Sequence, residues 1–194
     1  GSEMCIRDSF YTTHPNEDPI KVIKKMKQTD NFKFDEANVM NELVYRNLSE
    51  DAKRQICAWK YGGEYDLYNL PAYEEMQVRQ IGFMNPQREK NYYGFWDESI
   101  LVGFVNILEE KEEVFIGIGV NPDLCNKHYG QRMLLITYEI SKKLYPDKPL
   151  YLEVRTWNIR AVKCYQKAGF RIDGQAYELT TGIGTGTFYR MIRE

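Results

Sequence analysis

The sequence predicts an α/β (α+β) fold built on one mixed sheet of six to seven strands. Three observations predict it. The middle of the chain carries three strand-like runs separated by short polar turns, which is typical of an antiparallel meander. Two amphipathic helices then alternate with a strand, and this order predicts a central parallel β-α-β crossover. The chain ends in two strand-like runs around a glycine-rich turn, which predicts a hairpin.

Local signals place each element along the chain. Ser49 and Asn158 are residue types that cap helix N-termini, and Gly169 is typical of a helix end. The predicted helices cover 49–61, a short segment opening at Pro71, 130–144 and the segment between Asn158 and Gly169. The predicted strands are 43–45, 91–96, 100–109, 114–120, 150–156, 172–179 and 187–193.

These elements form one predicted domain, 41–194, preceded by an N-terminal extension, 1–40. Gly1-Ser2 has the form of a tag remnant. Asp18-Pro19 could open a short helix, and a loosely docked extension without that helix is the alternative.

Composition excludes several classes of protein. The chain has 26 Lys and Arg against 28 Asp and Glu over 194 residues, a net charge of −2, and 43% of its residues are hydrophobic. Such values exclude disorder, collagen and coiled coil. They also argue against a protein that grips nucleic-acid phosphates, which needs a basic face. We expect no nucleic-acid partner.

The same sequence predicts a soluble, cytoplasmic protein. Its longest apolar run, 100–108, is interrupted by Gly103 and Asn106 and falls short of the roughly 18 residues that span a bilayer. We therefore expect no membrane partner. The four cysteines are widely spaced, which favours free thiols over a disulfide framework and indicates no metal site.

Two polar loops have features of anion-binding sites. The glycine-rich run 182–186 precedes a strand, whereas a dinucleotide loop must open a helix, so a hairpin turn is favoured. The segment 118–134 has the order that an anion site needs: a strand, a polar loop and a helix N-terminus with free N–H groups. Lys127 and Arg132 add positive charge there, and an ordinary strand-to-helix connection is the alternative.

Two segments together resemble the GNAT-type N-acetyltransferase superfamily. The loop Cys125-Asn126-Lys127-His128-Tyr129-Gly130 aligns with the family pattern Q/R-x-x-G-x-G/A and keeps only its last glycine. The second segment is closer, with Asn158, Ala161, Tyr165 and Gly169-Phe170 at the family spacing. The likeness covers about 41–194, and its specific part is 116–170.

This resemblance implies acetyl-CoA as the cosubstrate, with no metal. The loop amides would bind the pyrophosphate, and the backbone at 118–120, where the strand splays from its parallel neighbour, would hold the pantetheine and polarise the thioester carbonyl. A backbone N–H needs no particular side chain, and histidine tolerates positive φ better than most residues. The expected cofactor-binding residues are Ile118, Gly119, Val120, Asn126, Lys127, His128, Tyr129, Gly130, Gln131, Asn158 and Tyr165.

The resemblance also implies the catalytic groups. Tyr165 would be the general acid toward the CoA thiolate. Glu153 is the expected general base, and an ion pair with a neighbouring Lys or Arg is the alternative for this side chain. Glu112 and Glu113 are the next candidates for the base.

An aromatic cluster is the predicted acceptor pocket. Trp59, Tyr61, Tyr65 and Tyr68 lie close together in sequence and could enclose a substrate, with Glu64 and Asp66 attracting a cation. Packing of the loop is the alternative function of these rings.

The function implied is an acetyl-CoA-dependent N-acetyltransferase that moves an acetyl group to a primary amine of a small molecule by direct transfer. Two alternatives stay open. One is a CoA-binding or ligand-sensing module with little catalysis, and the other is an N-terminal acetyltransferase for peptides or proteins. A homodimer is also left open.

Overall fold

The computed structural model describes residues 43–194; the extension 1–40, including the helix expected at Asp18, lies outside the described residues. The strands are β1 Val44–Asn47, β2 Tyr92–Asp97, β3 Ile100–Glu109, β4 Val114–Val120, β5 Leu150–Arg155, β6 Arg171–Ile172, β7 Tyr177–Thr181 and β8 Gly184–Arg193. The helices are α1 Glu50–Ala58, α2 Tyr73–Arg79, α3 Tyr129–Leu144 and α4 Ile159–Lys167. Short 3₁₀ turns cover Gly63–Tyr68, Gly82–Met84, Glu89–Asn91 and Pro122–Leu124.

All of the described strands belong to one mixed sheet. Their order is β1-β2-β3-β4-β5-β8-β6, and β7 also pairs with β8. Every pairing is antiparallel except β4 with β5, the strands that α3 connects. The predicted α/β class, antiparallel meander, parallel crossover and C-terminal hairpin are confirmed.

The sheet has eight strands rather than six to seven because the predicted strand 172–179 is divided. Gly174 has a φ of +78°, which does not fit a strand, and it lies between β6 and β7. The glycine-rich run is the turn between β7 and β8, with Thr181 paired to Gly184. It is therefore a hairpin turn, as predicted.

The helix caps explain where the helices begin and end. Ser49 Oγ accepts the N–H of Ala52 at 3.2 Å, and Asn158 Oδ1 accepts the N–H of Ala161 at 3.2 Å. The first helix was predicted to reach Tyr61, but α1 ends at Ala58, because Trp59 has an extended backbone with φ −61° and ψ 136°. The chain after Ala58 is thus free to cross toward the sheet.

Apolar residues of the sheet pack against helices on both faces. One core joins α3 and α4 to the sheet through side chains such as Ile116, Met133, Leu134, Leu152 and Met191. The second joins α1 and α2 to the other face through Ile56, Tyr73, Met76, Phe83 and Leu101. Within the described residues, no helix is long and apolar enough to cross a membrane.

The two parallel strands part soon after they meet. β4 and β5 pair only at Val114 with Leu150 and at Phe115 with Tyr151. Beyond Phe115 the remainder of β4 pairs with β3 alone. The sheet therefore opens between 116–120 and the end of β5.

Packing on β4 can be tested with two isoleucines of unequal burial. Ile116 is 1% exposed and Ile100, at the start of β3, is 55% exposed. We expect Ile116→Ala to lower the free energy of unfolding by about 2–5 kcal/mol, because it leaves a cavity in the core. Ile100→Ala is the control and should cost less than about 1 kcal/mol. Urea denaturation measures both, and equal losses would contradict this description of the core.

Candidate active site

A cavity of about 560 Å³ occupies the opening between β4 and β5. It extends from the N-terminus of α3 to the end of β5, and the 3₁₀ segment Gly63–Tyr68 contributes one side. Its lining includes Trp59, Tyr61, Tyr68, Ile118, Gly119, Val120, Cys125, Asn126, His128, Tyr129, Gly130, Gln131, Glu153, Arg155, Asn158, Arg160, Lys163, Cys164, Tyr165, Lys167 and Phe188.

The loop between β4 and α3 leaves consecutive backbone N–H groups without acceptors. The N–H of Cys125 bonds to Pro122 O at 3.4 Å and that of Arg132 bonds to His128 O at 3.1 Å. The structure records no backbone acceptor for the N–H groups of 126–131 among the described residues. Asn126 and His128 have φ values of +64° and +63°, a conformation that turns successive N–H groups toward one point. The loop is suited to bind a phosphate at the positive end of the α3 dipole.

Gly130 lies where two helices pack closely. A Cβ at this position would lie 3.1 Å from Cys164 Sγ and 3.4 Å from Val120 Cγ2. The absence of a side chain lets the first turn of α3 approach α4 and the end of β4. The N–H groups of the first turn of α3 are thereby held beside the opening in the sheet.

The structure brings ten of the eleven expected cofactor-binding residues to one cavity. The exception is Lys127, which is exposed and is not part of its wall. Tyr129 lines the cavity, and its hydroxyl donates to Asp97 Oδ2 at 2.7 Å. The role of Tyr129 in binding would therefore fall to its backbone and ring.

Tyr165 and Glu153, the two expected catalytic residues, both line this cavity. Burial raises the pKa of the Tyr165 hydroxyl well above its ordinary value, so the phenol keeps its proton at neutral pH. Glu153 Oε1 accepts a hydrogen bond from the Tyr177 hydroxyl at 2.5 Å. Burial, followed by this hydrogen bond, raises the pKa of Tyr177 to about 12.

Glu153 is not held by an ion pair among the described residues, so that alternative is not observed. The neighbouring cation on β8, Arg190, instead forms ion pairs with Glu113 and with Asp173. Glu112 is exposed and lies 3.5 Å from Lys111. Neither Glu112 nor Glu113 lines the cavity, so Glu153 is the one of the three candidate carboxylates that reaches it.

Three of the four predicted aromatic residues form the wall nearest the 3₁₀ segment. Trp59, Tyr61 and Tyr68 line the cavity, and the Tyr61 hydroxyl donates to Val120 O at 2.7 Å. Tyr65 is not part of the lining and packs on Trp157, with ring centroids 5.6 Å apart. For Tyr65 the structure matches the packing alternative. Glu64 and Asp66 are exposed and also lie outside the cavity lining.

Five further polar groups of the site were missed from the sequence. Arg155, Arg160, Lys163 and Lys167 line the cavity, and Tyr177 contacts Glu153. Arg155 shares a strand face with Glu153 because residues two apart on a strand point the same way, so alternation could have found it. Tyr177 reaches Glu153 only because β5 and β7 both pair with β8, and no local signal indicates that register.

Comparison with known proteins identifies the class to which this fold and site belong. The model of the acetyltransferase (GNAT) family matches residues 54–170, more than half of the chain. The chain therefore belongs to the GNAT acetyltransferase family. A search of curated protein sequences found no match.

Solved structures share the fold at low sequence identity. A GNAT-family acetyltransferase from Bacillus anthracis is 17% identical, covers 78% of this chain and 93% of its own, and has a TM-score of 0.65. The spermidine N-acetyltransferase from Vibrio cholerae in complex with CoA and spermine is 17% identical, covering 78% and 94%, with a TM-score of 0.62. The aminoglycoside acetyltransferase AAC(6')-Ib in complex with coenzyme A is 17% identical, covering 78% and 94%, at 0.60.

The strained residue of the loop gives a test of its role. His128→Gly should leave the affinity for acetyl-CoA unchanged or raise it, because glycine adopts a φ of +63° without strain and keeps the N–H. Calorimetric titration measures the affinity. His128→Ala is the control, since it removes the imidazole but keeps a Cβ at positive φ. A large loss of affinity in both variants would indicate a direct imidazole contact instead.

Proposed function

We propose that this protein is an acetyl-CoA-dependent N-acetyltransferase that moves an acetyl group to a primary amine of a small molecule by direct transfer in a ternary complex. One observation carries the proposal. A single cavity joins the free amides at the α3 N-terminus to Tyr165 and Glu153, where the sheet opens. Phosphate binding and acid–base groups are thus available to one bound pair of substrates.

The donor end has the chemistry that CoA requires. Consecutive N–H groups of 126–131 provide hydrogen bonds for a diphosphate without a net basic protein. Lys163 and Lys167 line the same cavity from α4 and add positive charge for a further phosphate. Acetyl-CoA would supply the activated acetyl thioester.

The opening in the sheet is the proposed position of the thioester. Backbone groups at 118–120 line the cavity beyond the last β4–β5 pair. A main-chain N–H there can donate to an oxygen that gains negative charge during transfer, and such fixed donors stabilise the transition state. The absence of a side chain at Gly119 makes room for the Phe104 ring, which a Cβ would meet at 2.4 Å.

Tyr165 and Glu153 would move the protons. Glu153 accepts a proton from the ammonium form of the acceptor, and the freed amine nitrogen bonds to the acetyl carbon as the carbon–sulfur bond breaks. Tyr165 donates its proton to the departing sulfur. The acylated nitrogen then gives its second proton, through water, to the Tyr165 phenolate, and Glu153 releases its proton to solvent, so that one proton is released overall. The hydrogen bond from Tyr177 orients the Glu153 carboxylate toward this task.

Donor binding and transfer are tested together. Acetyl-CoA at about 100 times its Kd should stabilise the folded protein by about 2.7 kcal/mol, seen as a rise in Tm, and amines should release CoA thiol. Tyr165→Phe should keep the Tm rise and lower kcat by about 10²-fold. Tyr138→Phe is the matched control, because its hydroxyl bonds to Glu194 O and lies outside the cavity.

The outcomes separate the alternatives. A Tm rise without turnover for any small amine or short peptide would favour the module with little catalysis. Turnover confined to peptides would favour the N-terminal acetyltransferase. An unchanged kcat in Tyr165→Phe would reject the assigned acid.

The base is tested through pH. Glu153→Gln should lower kcat/KM strongly near neutral pH, and the loss should shrink as the pH approaches the pKa of the acceptor amine, near 10 for an alkylamine. The loss shrinks in this direction because a rising pH supplies the acceptor as a neutral amine, which no longer needs Glu153 to remove a proton before it attacks. Glu113→Gln is the control and should leave the shape of the profile unchanged. Parallel profiles for wild type and Glu153→Gln would assign the base elsewhere.

A further inference from the structure

A buried arginine at the acceptor end of the cavity has no carboxylate partner among the described residues. Arg155, the last residue of β5, is 8% exposed. Its Nη1 and Nη2 donate to Thr185 O at 3.4 Å and to Gly184 O at 3.2 Å, and its Nε is buried without a hydrogen-bond partner. Burying a charge that lacks an ionic partner is costly. The site is therefore electrostatically prepared for an anion.

The position of this guanidinium is fixed by a glycine. Arg155 lies across Gly186, where a Cβ would come 1.9 Å from Nη1. The group also lies over the Phe188 ring, 4.9 Å from its centroid. Arg155 thus lines the cavity in one defined place, on the same strand face as Glu153.

Two more donors lie beside it. Tyr68 accepts a hydrogen bond from Asn158 Nδ2 at 3.3 Å, which leaves the Tyr68 O–H free to donate. Burial raises the pKa of Tyr68, and the hydrogen bond from Asn158 and the charges of Arg155 and Arg160 act against that rise. These two arginines and Tyr68 line the same cavity. Tyr68, Arg155 and Arg160 form what we call the anion cluster.

The charges of the cavity argue against a polyamine as acceptor. Glu153 is the single carboxylate among the described residues that line it, whereas Arg155 and Arg160 also line it. A ligand with several ammonium groups would have one of them attracted by Glu153 and the others repelled by two guanidiniums. A ligand with one amine and one adjacent anionic group is attracted at both ends, with its ammonium at Glu153 and its anionic group at the guanidiniums.

We propose that the acetyl acceptor is an amino acid or a close analogue, whose carboxylate binds the anion cluster while its amine lies at Glu153. The proposal rests on the proposed function and names the substrate class of the same site. Arginine and tyrosine donors to a carboxylate form charge-assisted hydrogen bonds, which are the strong ones.

The test uses pairs of amines that differ by the carboxylate alone. Lysine is compared with cadaverine, histidine with histamine and tyrosine with tyramine, and CoA release gives kcat/KM for each. The carboxylated member should be preferred by at least about tenfold, the value of one charge-assisted hydrogen bond. Phosphoethanolamine against ethanolamine forms a further arm for a phosphate in place of the carboxylate.

A pair of glycine variants isolates the position of Arg155. Gly186→Ala should displace the Arg155 guanidinium. The ratio of kcat/KM between the carboxylated and the decarboxylated amine should then fall toward 1, while the Tm rise from acetyl-CoA is retained. Gly182→Ala is the matched control on the same hairpin, because a Cβ there meets nothing within 4 Å. It should keep the preference of the wild type.

Each outcome decides the proposal. No preference in the wild type, a preference for the decarboxylated amines, or a preference confined to phosphoethanolamine would overturn it. So would a Gly186→Ala protein that keeps the full preference. A protein that acetyl-CoA stabilises but that acetylates no member of any pair overturns the substrate class alone, whereas the absence of stabilisation by acetyl-CoA counts against the proposed function itself.

Discussion

The site depends on the short pairing between two parallel strands. β4 and β5 share two residue pairs and then separate, while each remains fully paired to an antiparallel neighbour on its other side. The antiparallel ladders keep the sheet intact, so the gap costs only the hydrogen bonds between β4 and β5. Because α3 and α4 both begin at the ends of these strands, helix N-termini, strand backbone and the side chains of Tyr165 and Glu153 all face one space.

Two tyrosine side chains connect the two sides of the opening through hydrogen bonds. The Tyr61 hydroxyl bonds to Val120 O at the end of β4, and Asn158, the cap of α4, bonds to the Tyr68 hydroxyl. The segment that contains Tyr61 and Tyr68 thus contacts both sides of the gap, at the end of β4 and at the N-terminus of α4. Burial raises the pKa of Tyr61, so this hydroxyl remains a donor across the physiological range. The loop therefore acts as a structural bridge as well as a wall for a substrate.

Local sequence signals were enough for the order of elements and for the helix caps, because Ser49 and Asn158 act on amides three residues away. Features that depend on distant pairing were not predictable in the same way. The contact of Tyr177 with Glu153 follows from register across β8. The division of β6 from β7 is instead local, at the positive φ of Gly174, and glycine adopts positive and negative φ about equally, so its presence alone does not fix the division. The alternation of β5 indicated which way Arg155 points, but not that it is buried.

The two key positions of the β4–α3 loop show why a degenerate motif can keep its geometry. His128 stands where the family has a glycine for conformation, and its φ of +63° is strained but accessible to a residue with a side chain. Gly130 is different, since its constraint is space: a Cβ would press on Cys164 Sγ and Val120 Cγ2. Strain at His128 can be offset by the surrounding fold, whereas a Cβ at Gly130 would require the Cys164 side chain to shift by a few tenths of an ångström. The glycine that sets the distance between helices is accordingly the one that this chain retains.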